Sequence, residues 1–343
     1  MLIVERPLIR HYEIYGEFDD DFSIFSWMGT TIRGVFGYTL RRISCKTRLS
    51  SCDNCNIKAK CPYNIIFETS ASSFYKDFGL GYKLKGITKP YTLSNLRVRS
   101  GRFFSFDLNA FGDFMFANEP LLVKVVVEMQ KVGFGRCSKT NKRRTFKIAE
   151  ILVRNPITGE EETIYDSSMF HPADGYRNTD VTLESLSNFA DATFNKAPRL
   201  LKLTFAAPTL IEIDGKSEVP PRLKSVFQNL TRKIMFLSSY FWRRKIAEFE
   251  LDEIKKVAEA IEEHITIETA NIKSERMTRY SLRKKRWLQI PGYFSGAVYY
   301  KISEEFYKDS RNRLLFMALK LGEFLHVGKF TTSGAGEIKL EFF

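Results

Sequence analysis

Cys45, Cys52, Cys55 and Cys61 fall within seventeen residues, with a C-x-x-C at the centre. Thiols at that density read as a four-thiolate metal site, with disulfides as the alternative, which sits badly with a cytoplasmic chain. Zinc is the expected ion, because it takes four thiolates tetrahedrally and would pin a loop too polar to fold alone. The ending Cys61-Pro62 also suits an iron–sulfur cluster, which stays as the alternative. In either case no coordination position stays open, so the expected role is structural. Cys137, beside Gly135-Arg136, is expected to be a lone thiol.

A second stretch with chemistry in it is His326-Val-Gly-Lys-Phe-Thr-Thr-Ser-Gly-Ala-Gly336. Its glycines, lysine and three consecutive hydroxyls suit a backbone that approaches something rich in oxygen. A mononucleotide P-loop needs Gly-Lys-Ser/Thr at its end, running into a helix, whereas here Gly328-Lys329 comes first and the alternating run Glu337 to Phe343 follows. The dinucleotide fingerprint fails for the same reason. A simple turn between a helix and a strand is the alternative reading.

The third feature is charge. Lys and Arg total 53 against 40 Asp and Glu, a formal net charge of +13. Such an excess points to a polyanion, with nucleic acid ahead of anionic membrane. Arg276, Arg279, Arg283, Lys284, Lys285 and Arg286, next to Tyr280 and Trp287, read as RNA backbone contacts with bases stacking nearby, or as a solvated charged face. Lys142-Arg143-Arg144 is a weaker second patch. No carboxylate cluster of the kind that seats catalytic magnesium is visible. No apolar run reaches the length of a membrane span, and the start of the sequence is already charged at Glu5 and Arg6, so a cytoplasmic location is expected.

These residues need elements to hold them. Apolar positions Met28, Ile32, Val35, Phe36, Leu40 and Ile43 recur at helical spacing after a first strand over residues 2–15. Tyr63 to Glu68 and Arg102 to Leu108 read as strands, Leu121 to Met129 as a helix, and Thr145 to Val153 as a further strand. From Arg199 the order repeats: a strand, a long helix opened by Pro220-Pro221, another helix, two strands, a helix, and the glycine-rich loop before a last strand. Each half is therefore β-α-β-β-α-β. The fold expected is α+β, two tandem ferredoxin-like (RRM-like) domains, with a cysteine-rich metal-binding insert in the first. Residues 1–170 form the amino-terminal domain with its insert at 45–61, 171–198 a linker region, and 199–343 the carboxy-terminal domain.

The loop, the basic segment Thr278 to Arg286 and the run Pro291 to Val298 resemble those of the CRISPR-associated RAMP endoribonucleases that cut repeat RNA into guide units. LLKLTFAAPTLIEIDG is similar to the opening of their second domain, and GTTIRGVFGYTLRRISC to their first helix. The resemblance implies binding of a CRISPR repeat transcript across both domains. It also implies metal-independent cleavage, in which the 2'-hydroxyl attacks the neighbouring phosphate to leave a 2',3'-cyclic phosphate and a 5'-hydroxyl. Amides near Gly328, Gly334 and Gly336, the Lys329 charge and the Thr331, Thr332 and Ser333 hydroxyls would then hold the RNA backbone. Family members often carry a histidine in or just after the first helix, and residues 25–61 contain none. His326 is its best-placed substitute, ahead of His11, His171 and His264; Tyr38, Arg33, Arg41, Arg42 and Lys46 on or just past the first helix supply a tyrosine and cations. A non-catalytic subunit gripping guide RNA within a larger CRISPR effector complex is the alternative.

Overall fold

The computed structural model describes residues 6–20, 27–49, 51–69, 88–135, 143–166, 169–173, 175–213, 215–242, 246, 249–281 and 286–343. Its first half is built on β1 (Ile9–Phe18), where one face of the strand alternates into the core through Tyr12, Ile14 and Phe18. Helix α1 (Gly29–Ser44) buries Ile32, Val35, Phe36 and Leu40 against that face. The sheet continues with β2 (Tyr91–Leu93), β3 (Arg97–Ser100) and β4 (Phe103–Phe111). Short α2 (Asp113–Ala117) and α3 (Glu119–Glu128) follow, then β5 (Phe146–Arg154), β6 (Glu161–Asp166) and β7 (Met169–Phe170). Strand order is β2-β4-β1-β5-β6-β7, with β3 also on β4, and the pairs are antiparallel.

The second half opens with α4 (Leu183–Lys196), β8 (Leu200–Thr209) and the small hairpin β9 (Glu212–Ile213) and β10 (Lys216–Ser217). Helices α5 (Leu223–Tyr240) and α6 (Leu251–His264) cross to β11 (Ile265–Ser281), which turns back as β12 (Arg286–Ile302). Helix α7 (Arg313–Leu325) and β13 (Ile338–Phe342) complete the element. This sheet runs β11-β12-β8-β13, again antiparallel. Counting the first four core strands of each half, both sheets place them in the order second, third, first, fourth.

Two expectations are corrected. Tyr63 to Glu68 is not a strand: Asn64–Glu68 is a helical turn, entered by an Ile65 amide bond to the Cys61 carbonyl. Three consecutive apolar residues, Ile65 to Phe67, carry no period that separates the two states, and the strand role passes to Tyr91–Leu93 on β4. The segment 171–198 is not a polar connection, because it holds α4, closed at its start by a Thr182–Ser185 capping box. It is also clamped from below. Arg10 donates to Asp180 at 2.6 and 2.7 Å and to Glu119 at 2.9 Å, while Arg177 donates to Glu119 at 2.8 Å. All four side chains are almost wholly buried.

The halves share one core, since Leu8, Ile9, Phe111 and Val181 belong to the cluster built by α4, α5 and α7. Trp242 Nε1 donates to the Leu8 carbonyl at 2.8 Å. Thr92 and Asn109 both donate to the Phe324 carbonyl, at 2.6 and 3.1 Å. The carboxy-terminal end of α7 is thereby fixed to the first sheet, and the loop after it is carried to α1.

Candidate active site

The loop after α7 is held by its own amides. Gly328 N donates to Asn229 Oδ1 at 2.8 Å, Gly334 N to the Thr331 carbonyl at 3.1 Å, and Gly336 N to the Pro208 carbonyl at 3.1 Å. The expectation that these three amides receive a phosphate is corrected: they are spent on the loop's shape. Gly336 has φ +75°, and a Cβ there would lie 1.8 Å from the Val327 oxygen. No side chain fits that position. Ser333 is buried, whereas Thr331 and Thr332 stay half-buried and Lys329 is exposed with its Nζ paired to Glu212.

The loop sits on the start of α1. A Cβ on Gly29 would lie 1.7 Å from the Ser333 oxygen, so only glycine allows this approach. One turn along, Arg33 Nε donates to Thr332 Oγ1 at 3.0 Å, and its guanidinium lies 4.2 Å from the centroid of the Phe67 ring. That stacking suits arginine and not lysine. Lys89, at the entry to β2, donates from Nζ to the Thr69 carbonyl at 2.5 Å. Burial brings its pKa down to about 8, with Glu68 partly offsetting the fall and the Arg33 charge adding to it. Tyr91 is buried beside them, its hydroxyl pushed up to about 12 by burial against the pull of Arg33. Arg33, Glu68, Lys89 with Tyr91, and Thr332 thus come from four separate segments of chain onto one junction between the halves. Two cations, a tyrosine and a hydroxyl can bind a phosphate, neutralise charge that develops on it and pass a proton.

His326 is placed otherwise than expected. It is 2% exposed, at the end of α7, and its carbonyl accepts from Lys233 Nζ at 2.6 Å. Burial and the Lys233 charge lower its pKa to about 3. It is therefore a buried, neutral ring beside the loop backbone at Ala335. A pH dependence follows. Between about 6.5, the ordinary value, and about 3, the unfolded chain takes up a proton that the folded chain excludes, so stability is lost as pH falls through that window. At pH 4.5 the loss from this one group is roughly 2–3 kcal/mol. Thermal melts at pH 7 and 4.5 should show His326→Gln losing less stability on acidification than the parent. Equal losses would contradict the placement.

The other expected residues divide. Tyr38 is 59% exposed on α1. Arg42 pairs with Glu128 of α3 at 2.9 Å. It stands nine residues from Arg33, about half a turn round the helix and about 13 Å along it, so the two cannot share one phosphate. Lys46 lies beyond the helix end and is exposed. The catalytic set of Tyr38, Arg42, Lys46 and His326 is therefore not brought together, and the residue of α1 that meets the loop is Arg33. Arg279 and Arg286 lie on β11 and β12 near the tip of their hairpin. Arg283, Lys284 and Lys285, like Lys142 and Cys137, lie outside the described residues.

Cys45, Cys52, Cys55 and Cys61 are free thiols. Cys55 and Cys61 are buried, Cys55 shares a 3.5 Å contact with Thr47, and Cys52 is pushed up by burial and by nearby Glu68 and Cys61. The donor set suits zinc; among the described residues no group of three His, Cys, Asp or Glu side chains gathers to hold a metal. Also among them, no helix is long and apolar enough to cross a membrane.

Two antiparallel sheets joined core to core, with a glycine-rich loop of the second seated on the first helix, define a Cas6-like fold of mixed α/β class. Residues 203–338 match the model of the CRISPR-associated endoribonuclease Cas6, the repeat-RNA-processing family whose motifs the sequence resembles. Residues 7–175 match the AF_1859_N model, described as an N-terminal domain. Among solved structures, a Cas6 product complex is 13% identical with a TM-score of 0.55, covering 98% of this chain and 100% of that one. Thermus thermophilus Cas6 is 14% identical with a TM-score of 0.54, covering 98% and 99%. A partial Cas6-RT-Cas1–Cas2 complex is 12% identical with a TM-score of 0.55, covering 100% of this chain and 47% of that one. These are likenesses of fold. No curated protein matches the sequence.

Proposed function

We propose that the protein is an endoribonuclease that cuts CRISPR repeat RNA without a metal ion, by attack of the 2'-hydroxyl on the adjacent phosphate, leaving a 2',3'-cyclic phosphate and a 5'-hydroxyl. The observation that carries this reading is the seating of the glycine-rich loop on α1, with Arg33 bonded to Thr332 across the junction. A guanidinium held there by a hydroxyl and an aromatic ring meets a phosphate preorganised, as stabilisation of a crowded phosphorane requires. Lys329, Thr331 and Thr332 offer phosphate contacts beside it, and the basic residues Arg279, Arg283, Lys284, Lys285 and Arg286 would add RNA backbone contacts. In this reading both halves are ferredoxin-like domains, which their matching strand orders support, and the protein works in the cytoplasm.

The buried His326, and the lack of any histidine over residues 25–61, favour a second reading: a guide-RNA-binding subunit of a CRISPR effector complex that does not cut. Incubating the protein with end-labelled repeat RNA and with a shuffled control separates the two. One cut in the repeat alone supports the nuclease, a shifted but intact repeat supports the binding subunit, and equal behaviour of the two RNAs counts against both.

Structural zinc, or an iron–sulfur cluster, on Cys45, Cys52, Cys55 and Cys61 is kept in the proposal on the donor set alone. Elemental analysis should then give about one zinc per chain, lost on replacing Cys55 and Cys61 by serine. A folded, metal-free protein refutes it.

A further inference from the structure

We propose that Lys89 is the general acid of the cleavage reaction, donating its Nζ proton to the departing 5'-oxygen. The inference rests on the nuclease reading above and names a residue for a role that the buried His326 is not placed to fill. Lys89 enters β2 immediately before buried Pro90 and Tyr91, on the same junction as Arg33 and Thr332. Its Nζ bonds the Thr69 carbonyl at 2.5 Å, which aims the ammonium while leaving two of its three protons to donate. The side chain is half-buried, so it is anchored in protein and still reachable.

The charged groups that face Lys89 are Glu68 from the helical turn and Arg33 from α1, with opposite signs. Tyr91, next but one in sequence, is held neutral by burial. With its pKa brought to about 8, Lys89 is mostly protonated at neutral pH yet gives its proton up far more readily than a solvated lysine. Arg33, charged at every working pH, is suited to hold the phosphate and not to move a proton.

The step balances without a further reactant. The 2'-oxygen forms a bond to phosphorus as its proton passes to solvent, the bond from phosphorus to the 5'-oxygen breaks, and the electron pair left on that oxygen takes the Lys89 proton. The neutral amine then recovers a proton from water.

The test compares an ordinary repeat RNA with one carrying sulfur in place of the bridging 5'-oxygen at the cleavage site. A thiolate leaves without protonation, so the second substrate needs no acid. Under single-turnover conditions with saturating protein, Lys89→Met should slow the oxygen substrate about 100-fold or more. On the sulfur substrate it should cut within a few-fold of the parent rate. Lys89→Arg should resemble Lys89→Met, since it keeps the charge and loses the transferable proton. Equal slowing of both substrates would make Lys89 a structural or binding residue, and no slowing of either would leave it outside the reaction; both results overturn the proposal. A parent protein that cuts neither substrate overturns the nuclease reading itself, and this inference with it.

Discussion

Arg33→Ala should lower the single-turnover rate of repeat cleavage by about 100- to 1000-fold, or about 3–4 kcal/mol of transition-state stabilisation, while RNA binding weakens far less. The guanidinium is fixed on one side by Thr332 and on another by the Phe67 ring, so its charge is in place before the phosphate becomes crowded. Arg33→Lys should not rescue the rate, because an ammonium neither stacks on Phe67 nor forks between two oxygens. Arg42→Ala is the matched control: its partner is Glu128 on α3, about half a turn away, and the rate should stay near that of the parent. If Arg42→Ala slows cleavage as much as Arg33→Ala, the site lies on another face of α1.

The second large effect is on stability. Arg10→Leu leaves the carboxylates of Asp180 and Glu119 inside the protein with one cation fewer, and should cost about 3–5 kcal/mol. In a thermal melt that is roughly 4–7 °C. Replacing Arg10 and Asp180 together by apolar residues of similar size should recover part of the loss, since Glu119 keeps Arg177 at 2.8 Å. A single variant that melts with the parent would show that the cluster does not clamp the segment before α4.

Sequence pattern and structure agree where burial sets the pattern. The apolar spacing from Ile32 to Leu40 marks α1 because that stripe faces the first sheet. Gly29 and Gly37, residues of poor helix propensity, are where the loop and Phe67 press against that helix, a reason that lies across the fold. The sequence singled out the glycine-rich loop but misjudged what its glycines do. They shape and seat the backbone instead of offering amides. Lys89 and Tyr91 carried no signal, being a single lysine and a strand of three residues far from α1 in the chain. The Arg10 cluster was illegible for the same reason, as its members are spread from residue 10 to residue 180. Helix α4 was legible in principle: Thr182 and Ser185 form a cap, and Leu186, Ala190 and Thr193 give the buried spacing. Its polar composition and the nearby prolines concealed it.

The most direct measurement of the central claim is cleavage of a repeat RNA in EDTA, beside a copy with a single 2'-deoxy substitution immediately 5' of the scissile phosphate. Metal-independent attack by the 2'-hydroxyl predicts one cut in the first RNA, ending in a cyclic phosphate and a 5'-hydroxyl, and an intact second RNA bound as tightly. Cleavage of the deoxy copy, or cleavage that stops when EDTA is added, would contradict it.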